Sequence, residues 1–149
     1  MKRLRYILLS MCMLAVPQLT MGGDIQNTLE HPDRDISNQF RDQYRHPAET
    51  ISFFGIEQNM SVIEIWPGKG WYTEILAPWI KQGDGHFIAA GFPKSAGPEW
   101  RQNMQAAYEV WLREFPDRFD SVHLIEFGPP DDWQLGPQNS VDAVLTFRN

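Results

Sequence analysis

Residues 61–80 read SVIEIWPGKGWYTEILAPWI, and this stretch decides the fold. Its first part, residues 62–65, is short, apolar and rich in β-branched side chains, which predicts a buried strand. Gly68 and Gly70 then predict a tight turn, and a helical pattern of apolar residues begins at Trp71. A strand, a glycine turn and a helix in this order predict the first half of a nucleotide-binding βαβ unit. Glycine lets the backbone approach a ligand, and the helix N-terminus offers it free N–H groups.

The turn has the pattern E-x-W-P-G-x-G, which lacks the third glycine of the dinucleotide signature G-x-G-x-x-G. Glu64, Gly68 and Gly70 match the acid and the second and third glycines of E/D-x-G-x-G-x-G, and Trp66 occupies the first glycine position. This loop resembles that of class I S-adenosylmethionine (SAM)-dependent methyltransferases. The loop and the segments FFGI (residues 53–56) and VDAVLTFRN (residues 141–149) together resemble a bacterial family of exported predicted methyltransferases. The resemblance covers roughly residues 45–149. A plain turn in an unrelated α/β protein is the alternative interpretation.

The resemblance implies that SAM binds at the carboxyl ends of the first strands. It assigns ten residues to the cofactor: Glu64, Trp66, Pro67, Gly68, Gly70, Trp71, Gly91, Phe92, Asp131 and Asn149. A solvated acidic loop is an equal interpretation for Asp131, and the fold would also place Thr146 and Arg148 near the transferred methyl group. The family usually has an acid that binds the ribose hydroxyls where this chain has Gly91 and Phe92, which weakens the expected cofactor site.

The first 22 residues have the composition of a secretory signal peptide. Three basic residues open the chain, residues 6–16 are apolar, and residues 20–22 supply small side chains for a cleavage site. The apolar segment is too short to span a bilayer stably, and a permanent N-terminal anchor is the alternative. We therefore expect a signal peptide at residues 1–22 and an exported, periplasmic domain at residues 23–149, with no stable membrane span after cleavage.

Cysteine and charge content narrow the classes of function. The one cysteine, Cys12, lies inside the signal peptide, so the cleaved chain would have no disulfide, cysteine nucleophile or thiolate metal site. The four histidines lack metal-ligand spacing, and no metal is expected. The chain has 13 Lys and Arg against 19 Asp and Glu, and removal of three basic signal residues leaves 10 against 19, formally −9. Such a surface repels phosphates, so we expect a small-molecule methyl acceptor and no nucleic acid.

A helical lead-in is predicted at residues 32–56, ahead of a cofactor-binding half at residues 61–149. Residues 23–31 are polar and are expected to be flexible, and the first helix is expected to begin after Pro32. This helix carries one apolar stripe, formed by Ile36, Phe40 and Tyr44. In methyltransferases such helices help to cover the cofactor, and simple caps of the core are an equal alternative.

The rest of the chain predicts an α/β domain. The predicted strands are residues 62–65, 86–92, 122–127 and 141–147. Pro78 is expected to kink or shorten the helix that follows the glycine turn, and residues 99–115 form a second helix with an aromatic stripe typical of a core. The predicted fold is a Rossmann-like class I methyltransferase fold with about four parallel strands and helices on both faces. Because the class I sheet has seven strands, we expect a C-terminally truncated domain whose last strand is an unprotected apolar edge.

Three functions fit these patterns. The leading hypothesis is an exported SAM-dependent methyltransferase that acts on an unidentified small molecule or envelope component. A non-catalytic exported domain that keeps the fold as a binding or structural module is the main alternative. A nicotinamide-dependent oxidoreductase is a weaker one, because the third glycine and the ribose acid are missing.

The signal peptide is directly testable. We expect N-terminal sequencing of protein from the envelope fraction to find cleavage near Gly22. A mature soluble product that retains Met1 would contradict export through this segment.

Overall fold

The structure, a computed structural model, describes residues 22–147. Its helices and strands, in chain order, are α1 Gly22–Leu29, α2 Ile36–Arg45, α3 Pro47–Phe53, β1 Ser61–Ile65, α4 Thr73–Gln82, β2 His86–Gly91, α5 Glu99–Glu114, α6 Pro116–Phe119, β3 His123–Glu126 and β4 Ala143–Thr146. Apart from Gly22, the predicted signal peptide lies outside the described residues, as do Arg148 and Asn149. None of the helices in the described range has the length and apolar character needed to cross a membrane.

The four strands form one parallel sheet in the order β3-β2-β1-β4. The central strand β1 aligns Ile63 with Ile88 of β2 on one side and with Val144 of β4 on the other. Apolar strands that are paired on both sides are typical of parallel sheets covered by helices. The prediction of an α/β fold with four parallel strands is confirmed, and the arrangement is Rossmann-like.

Helices α4 and α5 cover the same face of this sheet. Val62, Phe87 and Ala89 project from that face into the core that α4 helps to form. Gly91 also lies on it, directly beneath Gln105 of α5. Right-handed crossovers place both helices on one face, because β1, β2 and β3 are successive neighbours.

The connection between β3 and β4 differs from the prediction. A right-handed return from β3 to β4 would place its crossover on the opposite face, where we expected a helix. Residues 127–142 contain turns and an isolated bridge but no helix. The segment is rich in Pro, Gly and Asp, which sustain a helix poorly, and this corrects the expectation of helices on both faces within the described chain.

The lead-in also differs from the prediction in two places. Residues 23–31, expected to be flexible, contain most of α1, whose Ile25 is buried and which packs against α3 and α4. Helix α2 begins at Ile36 and not after Pro32, because the Asp35 carboxylate accepts the backbone N–H of Ser37 and caps the helix there.

Helix α2 presents its apolar stripe to solvent. The three stripe residues are 64%, 66% and 78% exposed: Ile36, Phe40 and Tyr44. The side that faces the domain is polar instead, since Asn38 Nδ2 donates to Glu74 Oε2 at 3.0 Å and the Asp35 N–H donates to Glu74 Oε1 at 2.7 Å. Helix α2 is therefore attached to α4 by hydrogen bonds and not by burial of apolar surface.

A buried ion pair joins the lead-in to α4. The Arg34 guanidinium and the Glu74 carboxylate are both almost fully buried, with 3.4 Å between Arg34 Nε and Glu74 Oε2. Arg34 Nη1 also donates to Asp42 Oδ2 at 2.6 Å and to the Leu29 carbonyl at 2.8 Å. One cation thus binds α1, α2 and α4 together, and loss of Arg34 would leave the buried Glu74 carboxylate without its ion-pair partner.

Pro78 was expected to kink or shorten α4, and the helix is not shortened but continues to Gln82. Proline has no N–H, so it cannot donate to the carbonyl four residues earlier, that of Glu74. In the structure Arg118 Nη2 donates to this carbonyl at 2.8 Å. The same guanidinium donates through Nη1 to the Asp33 carbonyl at 2.9 Å, so α6 helps to hold both α4 and the lead-in.

Because Arg118 supplies the donor that Pro78 lacks, we expect substitutions at these two positions to have coupled effects on the free energy of unfolding. We expect Arg118→Met to lower the free energy of unfolding by about 1–3 kcal/mol, because it leaves a buried carbonyl without a donor. In a Pro78→Ala background we expect the same substitution to cost about 1 kcal/mol less, because the alanine backbone supplies the missing N–H. Urea unfolding of the four proteins measures the coupling, and an equal loss in both backgrounds would contradict it.

Candidate functional site

A cleft of about 460 Å³ opens at the carboxyl ends of β1 and β2. The end of β1 and the glycine turn line it, with Glu64 buried at the floor, and α2 and α5 contribute residues to its sides. Ligands of open parallel sheets bind at this edge, and the volume is within the usual range for small-molecule sites. Six of the residues assigned from the sequence line the cleft: Glu64, Trp66, Pro67, Gly68, Trp71 and Phe92.

The backbone of the turn has an alternating pattern. Trp66, Gly68 and Gly70 have φ of 49°, 62° and 80°, so each adopts the left-handed conformation that favours glycine. Trp66 keeps this conformation although it has a bulky side chain. Its ring stacks on Phe92 with centroids 5.2 Å apart, and its Nε1 donates to the Phe127 carbonyl at 2.8 Å. These contacts offset the backbone strain expected of a non-glycine residue at positive φ.

Gly70 does not line the cleft. It is buried, and a Cβ at this position would lie 2.5 Å from the Trp111 ring and 3.1 Å from Tyr108, both on α5. The absence of a side chain at Gly70 therefore lets α5 pack closely on the turn. Gly68 is the glycine that borders the cleft, and a Cβ there would have open space, its nearest neighbour being the Trp66 carbonyl oxygen at 4.0 Å.

Three further positions that were expected near the site do not line the cleft: Gly91, Asp131 and Thr146. A Cβ at Gly91 would overlap the Gln105 side chain, so this position serves the contact between β2 and α5. Asp131 is exposed in the connection between β3 and β4 and does not line the cleft. Thr146 is exposed on β4, and Asn149 lies outside the described residues.

Glu64 is the only acidic residue among the described residues that line the cleft. Its carboxyl is buried, and Oε2 accepts a hydrogen bond from Thr73 Oγ1 at 2.6 Å. Thr73 Oγ1 also lies 3.0 Å from the Tyr108 hydroxyl, which connects the carboxyl to α5. Burial raises the pKa of the Glu64 carboxyl to about 7, and the hydrogen bond from Thr73 only partly opposes this shift. The floor of the cleft therefore gains a negative charge as the pH rises through neutrality.

Four cationic residues that the sequence analysis did not assign also line the cleft: Arg41, Arg45, Lys69 and Arg101. Two come from α2, one from the glycine turn and one from α5. The spacing of Arg41 and Arg45 on one face of α2 is a signal that could have paired them, but nothing local relates them to Arg101. Helix α2 thus borders the cleft, as expected of a lead-in that covers the site.

Aromatic rings form most of the remaining walls: Trp66, Trp71, Tyr72, Phe92, Trp100 and Phe147. Tyr72 and Phe147 stack with their centroids 3.4 Å apart, and Trp71 Nε1 donates to the Asn38 carbonyl of α2 at 3.1 Å. The aromatic stripe of α5 was expected in the core. Tyr108 of that stripe is buried, but Trp100 is 54% exposed beside the cleft.

Comparison of the chain with protein-family models, with curated proteins and with solved structures finds no match. Within residues 22–147, no group of three or more His, Cys, Asp or Glu side chains could hold a metal ion. The function of the protein is therefore inferred from the residues that line the cleft.

The raised pKa of Glu64 predicts a pH-dependent stability. Between about pH 4.5 and 7 the carboxyl ionises in the unfolded chain but stays protonated in the folded protein, so stability falls as the pH rises through this window. We expect Glu64→Gln, which keeps an acceptor for Thr73, to remove this loss. The variant would exceed the unaltered protein by about 3 kcal/mol at pH 8, since one pKa unit corresponds to about 1.4 kcal/mol.

Denaturant unfolding from pH 4.5 to 8 measures this difference. At pH 4.5 position 64 is uncharged in both folded proteins, which supplies the baseline. If the two proteins differ in free energy of unfolding by an amount that stays constant with pH, Glu64 is not a buried carboxyl that titrates near neutral pH.

Proposed function

We propose that the cleft binds SAM and that the domain is an exported, periplasmic SAM-dependent methyltransferase acting on a small molecule or envelope component. The observation that carries this proposal is the backbone of the turn. Positions 66, 68 and 70, which correspond to the three glycines of the family's acid–glycine loop, all have positive φ. The acid of that loop, Glu64, lies directly before them at the end of β1. This run of positive φ supports the resemblance to the family loop, although Trp66 replaces its first glycine.

The described residues fit most of such a cofactor. A sulfonium would be attracted by the Glu64 carboxylate and by the ring faces of Trp66 and Tyr72. An adenine ring would meet the edge of Phe92, because Trp66 and Arg101 already lie against this ring, and Phe92 stands where the family usually has an acid for the ribose. The ribose hydroxyls therefore lack that carboxylate partner, and we expect modest affinity for this reason.

SAM supplies an activated methyl group, which passes to the acceptor's nucleophile as the sulfur–carbon bond breaks and the electron pair remains on sulfur. The contribution of this chain is positioning and electrostatics. Gly68 allows a ligand to approach the backbone, and the aromatic side chains of the walls offer it apolar surface. Glu64 holds negative charge beside the site when it is ionised. No general base is required of the chain for an acceptor that is already nucleophilic.

A non-catalytic binding module is the second candidate. It is favoured by Trp66, whose ring is fixed against Phe92 and the Phe127 carbonyl at the position where the family has a glycine. If that ring occupies cofactor space, the fold has kept its cleft but lost its cofactor. The two candidates differ in whether the unaltered protein binds SAM.

Gly68 provides a sharp test of the proposal. We expect SAM to bind the unaltered protein in calorimetric titration, more tightly at pH 8 than at pH 6 because Glu64 is then ionised. Gly68→Val should lose at least about tenfold in affinity, since it adds a side chain beside the cleft. Gly97→Val is the matched control, because Gly97 also has positive φ, with φ of 81°, but does not line the cleft. Both variants carry similar backbone strain, and only the first should lose affinity.

Two results would contradict this proposal. Equal SAM affinity in Gly68→Val and the unaltered protein would remove the turn from the binding site. Absence of SAM binding by the unaltered protein, with binding gained in Trp66→Gly, would show that the Trp66 ring closes the site and would favour the non-catalytic module.

A further inference from the structure

The mouth of the cleft concentrates positive charge on an otherwise acidic protein. The chain carries a formal charge of −6, yet four of its 13 Lys and Arg residues line this one cleft. Glu64 is buried at the floor, whereas Arg41 and Lys69 are exposed at the opening. The cleft therefore has an acidic floor and a cationic mouth.

Three of these cations, Arg41, Lys69 and Arg101, are not paired with an acidic side chain of the described residues. Arg41 and Lys69 form no ion pair with any other described residue. Arg101 Nε is buried and has no hydrogen-bond partner within residues 22–147. A buried guanidinium N–H without an acceptor is unfavourable, so an acceptor from a ligand would be stabilising there.

Arg101 also lies among aromatic rings. Its guanidinium carbon is 4.9 Å from the ring centroid of Phe92, 5.2 Å from that of Trp100 and 5.9 Å from that of Trp66. Contacts at these distances hold the guanidinium against the walls and limit its rotation. Trp66 and Phe92 are stacked on each other, whereas Trp100 is 54% exposed beside the cleft. A flat molecule entering the cleft would therefore meet the Trp100 ring and the Arg101 donors together.

From this arrangement we infer that the methyl acceptor is a small planar aromatic molecule that carries a carboxylate or a phosphate. Its ring packs against the exposed Trp100 ring, and its anionic group lies at the mouth against Arg101, Arg41 and Lys69. The inference rests on the proposed function in naming this molecule the acceptor, whereas the anion site itself depends only on the cleft.

Two other occupants fit the mouth less well. SAM has one carboxylate, which can pair with only part of the four cations that line the cleft, and its net charge is positive. Its sulfonium is matched by Glu64, so the remaining cations at the mouth are left for a second, anionic ligand. A long polyanion would extend beyond the cleft onto a surface that carries the chain's net negative charge. A small anion uses the local positive charge without meeting that repulsion.

Calorimetric titration of the full chain with two matched pairs of probes tests the inference. Naphthalene-2-carboxylate and naphthalene-2-carboxamide have the same ring and differ in charge, as do 2-naphthyl phosphate and 2-naphthol, and none of the four shares the adenosine of SAM. We expect the charged member of at least one pair to bind roughly tenfold or more tightly than its neutral counterpart, and the preferred pair identifies carboxylate or phosphate.

Three variants locate the effect. Arg101→Gln and Lys69→Gln should each reduce affinity for the preferred anion by roughly tenfold, with little change for its neutral counterpart. Lys69 is exposed, so its variant should fold even if Arg101→Gln does not. Arg113→Gln is the control, because it removes the same charge from an exposed position on α5 that does not line the cleft.

The outcomes separate this inference from the proposed function. Equal binding of charged and neutral probes, or an equal loss in Arg113→Gln, would overturn the anion site whether or not SAM binds. Selective anion binding without SAM binding would support the site and overturn the methyltransferase proposal. Selective anion binding that is retained or strengthened with SAM present would support both, and mutual exclusion of SAM and the anion would overturn the assignment as acceptor.

Discussion

The buried ion pair between Arg34 and Glu74 determines how the lead-in meets the parallel sheet. Helix α2 buries none of its side chains and would gain little by packing alone. Glu74 instead accepts hydrogen bonds from Arg34, Asn38 and the Asp35 N–H, and Arg34 extends the network to α1. Because buried charges must be compensated, this network fixes the orientation of α2 more strictly than an apolar contact would. The orientation in turn places the α2 arginines beside the cleft.

The same helix, α4, connects that network to the floor of the cleft. Its first residue, Thr73, donates to Glu64, and the next, Glu74, anchors the lead-in. Its internal proline leaves a free carbonyl that Arg118 satisfies from α6. A short segment of helix therefore organises both the acid at the floor and the cations at the mouth. The separation of these charges gives the cleft two ends of opposite preference, one for a cation and one for an anion.

Much of the framework was predictable because it is local. The alternation of apolar residues predicts the strands, the glycine turn follows β1 directly, and the order of strands and helices predicts a parallel sheet with right-handed crossovers. The part of the site formed by Glu64, Gly68 and Phe92 was predictable for the same reason, since parallel strands bring their carboxyl ends to one edge. The exposure of the apolar stripe of α2 was not predictable. Periodicity shows that a helix has an apolar and a polar face, but it does not show which face packs against the domain.

The sequence by itself determined the strands, the glycine turn after β1 and the position of the cleft at the sheet edge, since these depend on neighbours within a few residues. The tertiary structure alone decided three further points. Gly70 makes room for α5 and not for a ligand, the Glu74 carbonyl freed by Pro78 finds its donor 44 residues away at Arg118, and Arg41, Lys69 and Arg101 meet at one mouth. Each depends on distances between side chains far apart in the chain, and no local pattern encodes those distances, because they arise only when the helices pack on the sheet.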